Sequence, residues 1–527
     1  MRNQLLDIFM CGFGFDFENG PHKVCTFRRV LPQFLASFAM YLGAWNIGLI
    51  LALATIVVPS VTGTSSSLNP DETLHMTSDE ASWLASILFI VQPIGNLFSS
   101  FTIEILGRKG AMLATNIIPV ITWFMLANAQ SKILLYIGFS LLGIWNGSAT
   151  SMLLLYVSEI CESSVRGVLS AFGGICATGG MFMIFLLGSL LSWRQVCYIC
   201  AAVPIANILV ALLVPESPIW LVSKNRLESA QKSLQVLRGW VSSKSISSEL
   251  DQLKLINEMS SACVDCVQSG RKCDHPPPTL FEKFVDISQK RAMKPFLLVT
   301  ILFVMMQFSG MFAMRSYIVP ILGAHGIALD ANFTTVILGF IGVLANVVNV
   351  FIIRILGKRR IYLWTMVGNF VSCFGLSIYG WIFFPSGWSS NGITSDSLNS
   401  IRETVGNYNY FALVLFVMMQ FCISIAVSFV PYIIMSEVFP FKSRTFCCAL
   451  AGVENQIFAF VATKTYYDLE SWLSLPGAIC FYGVVAVIGF ISMLFILPET
   501  ENRTLEEIEL HFSDNNRSIF DIKIKKN

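Results

Sequence analysis

Apolar positions in this chain are gathered into long runs, and short polar stretches between them carry nearly all of the charge. Twelve runs stand out, at about 33–59, 82–103, 111–129, 133–157, 169–192, 196–214, 295–319, 332–353, 361–384, 409–435, 446–467 and 475–497. Each is about 20 residues or more, enough for a helix to cross a hydrocarbon core roughly 30 Å thick. The pattern predicts an all-α membrane protein of twelve transmembrane helices. One stretch breaks the rhythm: between spans 6 and 7 lies a polar linker whose segments 225–240, 245–259 and 279–293 place Leu, Ile or Phe three and four residues apart, as short amphipathic helices do.

The polar turns repeat. Leu106-Gly107-Arg108-Lys109, then Ser158-Glu159 with Arg166, then Pro215-Glu216-Ser217 occur in the first half. Leu356-Gly357-Lys358-Arg359, Ser436-Glu437 with Arg444, and Pro498-Glu499-Thr500 follow in the same order in the second, at offsets of 250, 278 and 283 residues. A duplicated bundle implies two pseudo-symmetric six-helix halves that rock about a site between them. The expected organisation is an N-terminal tail (1–31), a first half (32–214), a helical linker (215–292), a second half (293–497) and a C-terminal tail (498–527), where 504–509 reads as a helix start capped by Thr504.

Composition agrees with this: of 527 residues, 54% are hydrophobic and 13% charged, far from an ordinary soluble domain. Residues 1–31 carry charges and no small-residue cleavage site, so span 1 is expected to act as its own insertion signal. With both termini in the cytosol, thirty of the thirty-five Lys and Arg lie on the cytosolic side, whereas the opposite topology would invert the positive-inside bias. Lys132, Arg194 and Arg402 lie outside, and Arg315 and Lys464 within spans. A net charge of +2 gives no case for a nucleic-acid partner; the partners expected are the bilayer and a small solute, with a single chain sufficient for function.

None of the fourteen Cys falls in the two longer outer loops, which argues against a disulfide framework. Cys263, Cys266, Cys273 and His275 invite a zinc reading; a flexible loop of reduced thiols is the other, favoured by the three Pro at 276–278, and no metal is assigned. Asn332-Phe333-Thr334 is a glycosylation sequon at the outer edge of span 8. No phosphate-binding loop or catalytic His or Cys constellation stands out, so neither a cofactor nor an enzyme is expected.

The repeated charges (Arg108, Glu159, Arg166 and Glu216; Lys358, Arg359, Glu437, Arg444 and Glu499) predict an ion-pair network between spans that holds the cytosolic side shut in one state and breaks in the other. The alternative is anchoring cations with solvated carboxylates.

These phrases, with Pro215-Glu216-Ser217-Pro218-Ile219-Trp220-Leu221 and the stretch 498–509, resemble the sugar porter family of the major facilitator superfamily over about residues 32–510. The phrases at 79–87 (DEASWLASI) and 462–469 (ATKTYYDL) most resemble insect facilitated trehalose transporters. The resemblance implies a plasma-membrane facilitator of a hexose or trehalose. It also implies solute contacts in span 7 at Gln307 and Phe312, in span 10 at Pro431 and Tyr432, and in span 11 at Asn455 and Gln456, with Tyr317 as an outside gate. Amide and hydroxyl groups suit sugar hydroxyls, and aromatic faces suit its C–H surface; bonding between helices would use the same groups.

Several positions depart from the family. Met306 stands where it has a Gln, Phe312 where it has a sugar-binding Asn, and Gly174 where many members place another Gln. Each lost amide weakens sugar binding by about 0.5–1.5 kcal/mol. A transport-deficient sensor and a carrier of a less polar solute therefore stand beside the sugar reading. Arg315 and Glu454 are intramembrane charges, for which a pair across the cavity is one reading and Arg315 reaching the outer interface the other. Span 1 offers Asn46 where proton-coupled relatives place an Asp, and Phe139 follows Gly138 where they place an Arg, so facilitated diffusion is expected.

Overall fold

The computed structural model describes residues 26–63, 74–260, 290–327, 329–391, 395–439, 444–501, 503 and 505–513. Among them, ten helices are long and apolar enough to cross a membrane. One of these, Ser78–Ala127, is two spans joined at Gly107, whose φ of 82° breaks the helix. A further span is bent by 49° between Met293–Gln307 and Met311–Ala324. The order matches the twelve apolar runs.

The remaining spans are Val30–Val61 (span 1), Lys132–Ile160 (4), Ser163–Leu190 (5), Trp193–Leu213 (6), Ala331–Leu356 (8), Lys358–Phe383 (9), Asn409–Val438 (10), Arg444–Lys464 (11) and Tyr466–Ile496 (12). Side-chain caps set several outer starts. Thr77 and Glu80 form a capping box ahead of span 2, Ser192 and Gln195 another ahead of span 6, and the Asp330 carboxylate accepts from Asn332 and Phe333 at the start of span 8. The sequon residue Asn332 lies in that first turn. Apolar side chains such as Ile133 (70% exposed), Trp364 (73%) and Ile355 (79%) face outward, as a lipid-facing surface requires.

The repeat is visible in the packing. Span 2 runs along span 11, and span 8 runs along span 5. The repeat turns the first pair into the second, span 2 corresponding to span 8 and span 11 to span 5, with the partners exchanged between halves. Small residues permit such approaches: within the first half, a Cβ on Gly48 would meet the Ala177 carbonyl oxygen at 1.8 Å, and one on Gly95 that of Ile144 at 1.9 Å.

Of the expected linker helices, Leu227–Leu237 and Ser243–Ser260 form. They pack under the first half: Ser233 Oγ donates to the Glu216 carbonyl, and Arg238 binds the Ile160 carbonyl, Glu162 and Glu249. The third segment is described only from Lys290, where it is continuous with span 7. The Cys263/Cys266/Cys273/His275 group and Thr504 lie outside the described residues. The C-terminal helix Leu505–Ser513 packs against spans 7 and 10.

Candidate solute site and its gates

Span 7 is helical to Gln307, breaks over Phe308-Ser309-Gly310, and resumes at Met311. Gly310 takes φ 103°, and Asn369 of span 9 satisfies the freed Ser309 carbonyl at 3.0 Å. At the break a polar chain crosses three spans. Gln307 Nε2 donates to Asn455 Oδ1 at 2.9 Å, and Asn455 Nδ2 donates to the Tyr432 hydroxyl at 2.9 Å. Gln307 and Asn455 are buried, whereas Tyr432 is 39% exposed and packs edge-on against Phe303. Pro431 precedes Tyr432 in the first turn of the helix that restarts span 10 after a π segment, Ile423–Val427. Three of the sequence-predicted contact residues are thus brought together, with Pro431 beside them.

Two others lie elsewhere. Tyr317 is fully buried; its hydroxyl donates to the Thr463 carbonyl at 3.0 Å and its ring stacks on Tyr466. The residue expected as an outside gate thus ties span 7 to span 11 here. Gln456 follows Asn455 and projects about 100° further round the helix.

The Arg315–Glu454 pair is not formed. Glu454 accepts from Thr300 Oγ1 at 2.8 Å, two turns to the cytosolic side of Gln307. Span 11 starts at the same end of the bundle as span 7 and Cβ atoms lean toward a helix N-terminus, so Glu454 is drawn toward that end. Arg315 lies on the outer arm of span 7, its guanidinium 5.1 Å from the Phe312 ring centroid and 3.6 Å from Met181 Sδ of span 5.

The departures also have a structural reading. Phe429 fills the space beside Gly174, where a Cβ would stand 2.7 Å from its ring. Met306 is buried and Phe312 half-buried beneath Arg315. Sequence reasoning passed over Phe429, Thr300, and the Asn346–Thr178 bond of 2.9 Å between spans 8 and 5; each is an ordinary residue until its partner arrives from a distant span.

At the repeated charged turns the described pairs join spans of one half. In the first half, Arg108 makes a two-pronged ion pair with Glu159, which also accepts from Ser217. Glu216 accepts from the Arg108 and Lys109 amides at 3.0 and 3.1 Å, capping the N-terminus of span 3. In the second, Lys358 pairs with Glu437 at 2.6 Å and Glu501 at 3.1 Å, and Glu499 accepts from the Lys358 and Arg359 amides, both at 3.2 Å. Arg444 Nε donates to the Phe439 carbonyl at 3.2 Å; the Arg166 side chain lies outside the described residues. The turn glycines explain the first phrase of each repeat. Gly107 and Gly357 take φ 82° and 80°, and a Cβ on either would stand 2.5 or 2.6 Å from a carboxylate oxygen of Glu216 or Glu499.

The halves are tied at their outer ends. Lys464 of span 11 binds Asp79 at 2.5 Å and Ser82 at 2.9 Å, and stands 5.0 Å from the Trp83 ring centroid. Phe460 packs on the same indole. The two phrases that carried the closer resemblance, 79–87 and 462–469, are therefore the two that meet here. Thr55 of span 1 donates to the Arg315 carbonyl at 2.9 Å, and Phe182 packs on Phe340 at 6.0 Å.

Comparison with known proteins agrees with this architecture. The family described as Sugar (and other) transporter matches residues 33–512. The chain is 27% identical over 487 residues to the facilitated trehalose transporter Tret1 of Apis mellifera ligustica, covering 92% of this chain and 89% of the relative. It is 26% identical over 510 residues to that of Bombyx mori, covering 96% and 92%. The xylose transporter XylE from E. coli, solved in a partially occluded inward open conformation, superposes with a TM-score of 0.66 at 16% identity, over 90% of this chain and 99% of that one. The same protein bound to 6-bromo-6-deoxy-D-glucose gives 0.66 at 17%, over 92% and 100%. The chain has the twelve-helix major facilitator fold in two six-helix halves and is a multi-pass membrane protein. It belongs to the Sugar (and other) transporter family.

Proposed function

We propose that this chain is a facilitative uniporter of a sugar, hexose or trehalose, working by alternating access as a single chain in the plasma membrane with both termini in the cytosol. The observation that carries the reading is the Gln307–Asn455–Tyr432 chain at the break in span 7. The amide and phenol groups there hold hydrogen bonds among themselves that can be traded for hydroxyls of a solute. Outer contacts such as Asp79–Lys464 close one end in this state, and the cytosolic networks keep each half rigid while it rocks.

Span 1 bears Asn46 rather than a carboxylate, its Oδ1 accepting from Trp123 at 3.2 Å, which supports uncoupled transport. The test is uptake of labelled glucose, trehalose and polyols by purified protein in liposomes. Saturable flux that equilibrates without accumulating under an acidic outside gradient is expected. Uphill accumulation, or sugar binding with no flux, would refute a uniporter and favour a coupled carrier or a sensor respectively.

A further inference from the structure

We infer that, within the sugar class proposed above, the site prefers a derivative that carries an anionic group, a carboxylate or phosphate, docking on Arg315; this rests on the reading of the space between the halves as the solute's path. Arg315 stands on that seam. Its carbonyl accepts from Thr55 of span 1, and its guanidinium reaches Met181 of span 5, both in the opposite half. Against the guanidinium lie a thioether and the face of Phe312. Among the described residues no carboxylate pairs with it, Glu454 being held by Thr300.

A guanidinium has five donors. One is used on a sulfur, a weak acceptor, and the aromatic face of Phe312 offsets only part of the cost of desolvating the charge. A charge at membrane depth is retained where it pairs or lines water, and Arg315 is half-buried, not sealed. Its fork suits a planar carboxylate or a phosphate. The polar chain at Gln307 lies eight residues away on the same span, roughly 12 Å at helical rise and less across the bend. The site thus has a cationic end and a hydroxyl-binding end, spaced for a sugar acid or sugar phosphate. Phe312, between the two ends, offers an aromatic face and no amide.

The experiment uses matched probes on the full chain: glucose against glucuronate, and trehalose against trehalose 6-phosphate, read by thermal stabilisation of purified protein and by tracer flux in liposomes. The charged member of at least one pair should bind about ten- to a hundredfold more tightly. Arg315→Met should level the pairs, and Arg315→Lys should keep part of the preference. Equal or weaker stabilisation by both charged probes in the wild type overturns the inference, as does a preference surviving in Arg315→Met. Charged probes that stabilise without flux would leave the anion site standing and remove the carrier reading. Neutral sugars crossing with no effect of charge would do the reverse.

Discussion

Replacing Gly107 with Ala should damage the protein in a way that depends on Glu216. Gly107 holds φ 82° and ψ 179°, a region open essentially to glycine, and an alanine there costs about 1–3 kcal/mol in backbone strain. Its Cβ would also stand 2.5 Å from Glu216 Oε2 and 2.9 Å from the carboxyl carbon. The carboxylate must then leave the two amides it caps, and hydrogen bonds to a charged group are each worth about 1.5–3 kcal/mol. The expected total is about 3–5 kcal/mol, since the capped amides regain part of this from water. Glu216→Ala alone removes the cap without strain and should cost about 2–3 kcal/mol. In the double variant the collision has already gone, so only the strain is added and the two losses sum to less than additively. The assay is thermal unfolding of the purified protein in detergent, with the four members of the cycle run together. The same cycle on Gly357 and Glu499 should behave alike, because the Cβ there would lie 2.6 Å from Glu499 Oε2. Strictly additive losses in both cycles, or a Gly107→Ala protein as stable as wild type, would refute the reasoning.

Asn455→Ala should cut the polar chain in two, exposing the amide of Gln307 and the hydroxyl of Tyr432, and lower uptake at least tenfold in liposomes; Tyr432→Phe, which loses one bond, should lower it about two- to tenfold. Lys464→Met removes the ion pair to Asp79 and the contact with Trp83, together about 1–2 kcal/mol. It should shift the population toward the outward-open state about five- to thirtyfold, read as faster labelling by an impermeant thiol reagent of a cysteine placed at Thr178, with Asp79→Asn giving a smaller shift in the same direction.

The twelve spans and the two-fold repeat were legible in the sequence because both are local: apolar length sets a span, and a Gly with flanking charges sets a turn. Some residues singled out in separate phrases also meet. Arg108 does meet Glu159, and Gln307, Asn455 and Tyr432 do converge. The C-terminal helix forms one residue after its expected start. What failed were pairings that depend on where a side chain points along the bilayer normal. Glu454 adjoins Asn455 in sequence and Arg315 follows Gln307 on span 7, yet Arg315 lies about two turns beyond Gln307 toward one end of the bundle while Thr300 holds Glu454 about two turns toward the other.

The chain's own order of apolar runs and charged turns therefore determined that this is a duplicated twelve-helix bundle with its basic face to one side. Only the tertiary structure decided which half each ion pair serves, that Phe429 fills the space beside Gly174, and that the phrases at 79–87 and 462–469 close the outer end together. The reason is that a hydrophobic period reports burial within one helix, whereas depth, rotation and partner are set by the packing of helices far apart in the chain.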